Sequence, residues 1–114
     1  MARVSTAPLR PGAADELTSH YCTRARALYE ACNGFHGSLL LLNHDKSIAR
    51  SVTLWARTTD MDAAVNHPEY ADVMKGIARH FTDVPDTEMW QLGGAFLMER
   101  DLPKLAEAEK LEAE

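Results

Sequence analysis

The sequence is poor in the residues that mark most specialised classes of protein. It has two cysteines, Cys22 and Cys32, in 114 residues, which excludes a disulfide scaffold. They stand ten residues apart in what reads as a single helix, too far along it to bond to each other. With no CxxC or Cys/His cluster beside them, two buried, reduced thiols are expected. The longest apolar run, Leu39 to Leu42, falls well short of the roughly 20 residues that a membrane-spanning helix needs. Basic residues number 12 against 17 acidic ones, for a formal charge of −5, and they form no stripe. That speaks against nucleic acid as a partner. Met1-Ala2-Arg3-Val4 runs into polar residues and Pro8 without the pattern of a secretory leader, so a cytoplasmic protein is expected. No two of the five histidines have metal-ligand spacing, and no metal site is expected. Ser/His/Asp order, a Gly-rich phosphate loop, paired carboxylates and a nucleotide fingerprint are also missing.

What is present is the balance of a globular domain, with 46% hydrophobic and 25% charged residues. The length suits one domain with one core. The chain opens on a short β-like segment, Arg3 to Thr6, and breaks at Pro8, Pro11 and Gly12. A helix starting at Ala14 or Asp15 then carries Leu17, Tyr21, Ala25, Leu28 and Cys32 as one apolar stripe. Asn33-Gly34 ends it, since both tolerate left-handed backbone. Phe35 to Leu42 and Ile48 to Ala56 read as two strands of a hairpin. In the second, Ser51, Thr53 and Trp55 share one face, and Val52, Leu54 and Ala56 the other.

Thr59-Asp60-Met61-Asp62 reads as a capping box that opens a short helix, interrupted at His67-Pro68. The spacing of Tyr70, Val73, Met74, Ile77, Ala78 and Phe81 predicts the next helix. His80 is expected in its last turn, where a cation suits the helix dipole. Thr87 to Phe96 reads as the last strand, kinked at Gly93-Gly94. The Ala/Glu/Lys/Leu-rich tail from Asp101 reads as a solvated helix. The expected organisation is one domain over residues 1–100 and a helical tail over 101–114.

The order β-α-β-β-α-β predicts an α+β, ferredoxin-like fold with an antiparallel sheet. Two helices on one sheet face leave the other face bare. A two-fold homodimer with its sheets face to face, a dimeric α+β barrel, covers that face most economically.

Four segments resemble the antibiotic biosynthesis monooxygenase-like family of the dimeric α+β barrel superfamily. They are Leu9-Arg10-Pro11-Gly12 with Asp15-Glu16-Leu17, Gly34-Phe35-His36-Gly37, Ser51-Val52-Thr53-Leu54-Trp55, and His67-Pro68-Glu69-Tyr70. The resemblance runs from about residue 3 to 97. It implies a homodimer with a pocket between sheet and helices in each subunit. It also implies a cofactor-independent monooxygenase acting on an aromatic, polyketide-like molecule. Trp55 matches the Trp that lines the pocket in the polyketide oxygenases, and Ser51 stands where they carry an Asn. The haem-degrading branch carries an Asn, a Trp and a His at the places of Ser5, Ala64 and Met74, so haem degradation is not implied.

The candidate site follows. Trp55 offers a flat wall for an aromatic ring, or simply core. Ser5, Ser51 and Thr53 fall on the same sheet face and could orient a phenol or carbonyl, or bond neighbouring backbone. Tyr70 and Tyr29 could reach the pocket with a hydroxyl, or pack in the core. His36 and His67 are the candidate bases, with His67 also able to cap a helix start. The substrate would supply the electrons, so no cofactor is expected. The alternatives on the same fold are a non-catalytic dimeric ligand-binding or accessory protein, and an isomerase or cyclase.

Overall fold

Four strands form one antiparallel sheet in the order β2-β3-β1-β4. They are β1 (Ala2–Pro8), β2 (Phe35–Asn43), β3 (Ile48–Trp55) and β4 (Asp86–Trp90). The helices are α1 (Ala14–His20) and α2 (Arg26–Glu30), joined by a π turn (Tyr21–Ala25), then α3 (Thr58–Val65), α4 (Tyr70–Ala78) and the tail helix α5 (Leu102–Ala113). The computed structural model describes residues 1–98 and 102–113. The expected start of the tail at Asp101, and with it the boundary after residue 100, lies outside the described residues. This is the α+β, ferredoxin-like arrangement that the order of elements predicts.

Strand pairing decides which side chains face the helices. Ser5 pairs with Ser51 and with Thr87, and Ala7 with Ala49. Arg3 lies between Thr53 and Met89, and Leu40 lies opposite Ser51. Because paired residues share a face, these rungs form the helix side. The other side carries Val4, Leu39, Leu41, Val52, Leu54 and Trp90.

The helices pack over β1, β3 and β2. Leu17, Leu28 and Val73 have 2% exposure or less. Each contributes about 1.5–3 kcal/mol by leaving water. The single helix expected from Ala14 is interrupted by the π turn, and its apolar stripe explains why. Leu17, Tyr21 and Ala25 are spaced by fours, and each such step carries a side chain about 40° past the last in a regular helix. A wider turn takes up the drift and keeps all three against the sheet. Cys32 is half-buried, but Cys22 falls on the outer side of that turn and is exposed, contrary to the expectation of two buried thiols.

Two further expectations are corrected. The last strand ends at Trp90, not Phe96. Its only partner, β1, supplies residues no further than Ala2, which is opposite Trp90. The described residues 91–98 have no strand beside them, and Gly93-Gly94 lies outside the sheet. The capping box does not form either. The cap of α3 is Arg57, and no side chain bonds to the first-turn backbone. Asp60 is instead buried and holds the Arg57 guanidinium through two hydrogen bonds of 3.1 Å.

Gly34 lies against that carboxylate. Its φ is +76°, and a Cβ there would stand 2.2 Å from Asp60 Oδ2. Gly12 has a φ of +74° and open space around it. Gly12→Ala is therefore expected to cost about 1 kcal/mol, for backbone strain alone. Gly34→Ala is expected to cost at least about 2 kcal/mol more, because the buried Asp60 carboxylate must move as well. Urea unfolding of the two variants in parallel measures the difference.

Candidate functional site

Between the sheet and the helices lies a cavity of about 70 Å³. Its floor is made of small side chains from the two central strands, Ser5, Ala7, Ala49 and Ser51, with Leu40 beside them. Its roof is Leu17, Tyr21, Tyr29 and Ile77, and Phe81 and Pro85 close one end. The space holds a handful of waters or a small ring.

The polar part of the wall consists of hydroxyls alone. The Tyr21 hydroxyl sits against the hydroxyls of Ser38 and Ser51. Ser5 Oγ bonds to Thr87 Oγ1 at 3.1 Å, on the edge strand. Burial pushes the Tyr21 phenol above its ordinary range, while the serine bonds act in the opposite direction. Burial also pushes the Tyr29 phenol up, with the neighbouring Tyr21 and Tyr70 adding to the effect. Both phenols therefore keep their protons at neutral pH and act as donors. Among the described residues no carboxylate, imidazole or ammonium group lines the cavity.

The expected site residues separate into four groups. Ser5 and Ser51 line the cavity. Trp55 and Thr53 stand on the same sheet face but further along it, in the core. Trp55 is 3% exposed, and its ring meets Tyr29 and Phe35 edge-on, with centroids 5.8 and 5.3 Å away. Its Nε1–H donates to Thr53 Oγ1 at 2.9 Å, so each satisfies the other. Tyr70 is half-buried on α4, and its hydroxyl accepts a hydrogen bond from Arg3 Nη1 at 3.2 Å.

The histidines lie elsewhere. His36 is exposed on the bulge where the β2–β3 register shifts. His67 Nδ1 accepts the Glu69 N–H at 3.1 Å and caps the turn into α4. It borders a second, more open hollow with Cys32 and Asp60. The Cys32 thiol donates to the Leu28 carbonyl, and burial pushes its pKa up, which disfavours the thiolate. Tyr21 is the cavity residue that the stripe pattern hid, because a helix-face Tyr spaced like Leu17 and Ala25 reads as packing. The second signal was the three serines opposite it. Among the described residues no three His, Cys, Asp or Glu side chains stand together so as to hold a metal ion. No described helix is long and apolar enough to cross a membrane.

His80 immediately precedes the cavity residue Phe81. It follows α4 rather than ending it, and it is 5% exposed. Burial first, and then the Arg79 charge, lower its pKa from 6.5; His20 adds to this and Glu16 opposes it. The expected cation is thus disfavoured in the folded state. The unfolded chain takes up this proton at a higher pH than the folded one does. Stability should be level above about pH 6.5 and fall as pH drops below it. Melting curves between about pH 5 and 8 check this, with His80→Gln expected to flatten the slope.

No family model matches the chain, and no curated protein does. Solved structures do match. A monooxygenase of Streptomyces coelicolor, from the gene ActVA-Orf6 and bound to nanaomycin D, superposes with a TM-score of 0.73 at 15% identity, over 84% of this chain and 89% of that one. SnoaB, a cofactor-independent oxygenase of Streptomyces nogalater, gives 0.70 at 17% identity over 83% and 94%. A conserved protein of Methanosarcina mazei gives 0.69 at 9% identity over 79% and 89%. The chain therefore has the fold of the antibiotic biosynthesis monooxygenase-like proteins.

Proposed function

We propose that the protein is a cofactor-independent monooxygenase of an aromatic, polyketide-like small molecule, acting as a cytoplasmic homodimer. The observation that carries this reading is the cavity whose only polar wall groups are hydroxyls, set between sheet and helices. It offers hydrogen bonds to a phenol or carbonyl and otherwise apolar surface. Ser5 and Ser51 orient the substrate oxygen, with the Tyr21 phenol holding Ser51. Trp55, fixed by Thr53, backs Tyr29, and Tyr70 stands at the rim. The substrate supplies the electrons from its own phenolate or enolate. A ring methylene becomes a carbonyl, one oxygen atom enters the product and the other leaves as water. His36 and His67 lie outside the cavity, so the substrate proton reaches either imidazole only by way of solvent. The solved oxygenases of this fold support the reaction class.

A second reading is favoured by the same wall. A cavity with no base that titrates near neutrality also suits a dimeric ligand-binding or accessory protein. An isomerase or cyclase would need such a base. Oxygen uptake in an electrode, with 1-naphthol and anthrone as probes, separates these readings. Uptake that falls about tenfold in kcat for Ser51→Ala and for Ser5→Ala is expected, as the loss of one orienting hydrogen bond. Saturable binding without uptake would favour the accessory reading. Conversion without oxygen would favour the isomerase.

The homodimer rests on the sheet face away from the helices. Leu39, Leu41 and Trp90 on it are 36%, 49% and 54% exposed, an apolar array that calls for a cover. Native mass spectrometry should find twice the chain mass. Leu41→Glu should shift the protein to monomer.

A further inference from the structure

Arg3 differs from every other arginine among the described residues. The rest are exposed, whereas Arg3 is half-buried and lies on the helix side of the sheet. It has no carboxylate partner among those residues. Three of the described acids are held by other arginines. Glu30 pairs with Arg26 at 2.7 Å, Asp72 with Arg24 at 3.2 Å, and Asp60 with Arg57 at 3.1 Å. Glu88, on the neighbouring strand, pairs with Val4 and so belongs to the opposite face. The one side-chain partner of Arg3 is the Tyr70 hydroxyl, which accepts from Nη1. Most guanidinium N–H donors of Arg3 thus remain unused, and the Tyr70 O–H proton is free to be donated alongside them.

A half-buried guanidinium with unused donors in a fixed fork is a ready partner for a carboxylate. The place of Arg3 says what would carry one. It stands two residues before Ser5 on the same face of β1, one rung beyond the cavity floor, roughly 7 Å along the strand. Its charge is felt at the Tyr29 phenol, which lines the cavity. Arg3 keeps part of its surface in solvent, beside the edge-strand residue Met89, so it can be reached from outside. The chain as a whole carries −5, so its overall field repels an anion and any preference for one must be local.

We infer that Arg3 and Tyr70 form an anion subsite at the rim of the cavity, and that the ligand is a hydroxylated aromatic acid. Its hydroxyl points inward to Ser5 and Ser51, and its carboxylate lies on the Arg3 guanidinium. This rests on the cavity being the ligand site, as proposed above, but not on the reaction that follows. The span from hydroxyl to carboxylate across one benzene ring is close to the single rung that separates Ser5 from Arg3.

The test is titration calorimetry with 4-hydroxybenzoate and its neutral counterpart 4-hydroxybenzamide. Wild type should bind the acid at least tenfold more tightly, and added salt should erode that preference. Arg3→Met should abolish the preference, the acid losing far more affinity than the amide, and an unchanged far-UV circular dichroism spectrum shows that the variant is folded. Arg3→Lys should keep part of the preference, Tyr70→Phe should reduce it, and Ser5→Ala should weaken both probes alike. Equal binding of the two probes by wild type overturns the subsite, and so does a preference that survives Arg3→Met. If neither probe binds, the cavity is not the ligand site, and both this inference and the proposed function fall. An Arg3-dependent preference in a protein that takes up no oxygen with any phenol leaves the subsite standing and removes the oxygenase.

Discussion

Everything in the interior follows from the small side chains that the two central strands present to the helices. Alternation along β1 and β3 places Ala7, Ser5, Ala49 and Ser51 side by side beneath the helix stripe. A helix cannot come closer to a sheet than backbone contact permits, so a floor of alanines and serines leaves a gap. Leu17, Tyr21 and Tyr29 fill most of it from above. What they leave is the cavity. Leucines at Ala7 and Ala49 would give an ordinary core on the same fold. The site is thus a consequence of residue size at four positions, and its polarity a consequence of two of them being serine.

Much of the fold was legible because periodicity reports which residues leave water. The stripes from Leu17 to Leu28 and from Tyr70 to Ile77, and the alternation from Ser51 to Trp55, all gave the right face. The features that were not legible depend on neighbours distant in sequence. The end of β4 is set by where β1 runs out of partners, which no pattern within 87–96 encodes. The helix expected to open at Thr59 with Asp62 as its capping carboxylate opens at Arg57, and Asp60 turns into the space beside Gly34. The π turn was present in the repeated spacing of four, a signal that a conventional helix reading discards. At the site, Ser5 and Ser51 were legible from strand phase. Trp55 and Thr53 satisfy each other, a pairing that alternation alone cannot distinguish from two free groups on one face.

The cavity also limits chemistry by what its wall can exchange. Phenols held above their ordinary pKa, and serines, donate and accept hydrogen bonds but take no proton at neutral pH. Any ligand that ionises there does so through its own acidity, helped by donors around the oxygen. Acidity would thus have to be a property of the ligand, and the protein would contribute shape, hydrogen bonds and exclusion of water. The histidines serve other ends. His67 caps a turn, His80 is buried in its neutral form, and His36 sits at a bulge.

The π turn has a consequence for how this chain can change length. A wide turn holds one residue more than the regular helix that would replace it. Removing one residue between Cys22 and Arg24 would let the backbone close into an uninterrupted α-helix, and hydrogen bonding would not oppose this. The wide turn had absorbed that residue locally, so Leu17 and Tyr21 would keep nearly their present places on the sheet. A deletion within α2 has no such slack: it would turn everything before it by about 100° about the helix axis and carry the cavity's roof and its principal donor off the sheet in one step. A gap of one residue in a related chain would thus mark the cavity kept where it falls in the turn and lost where it falls in α2.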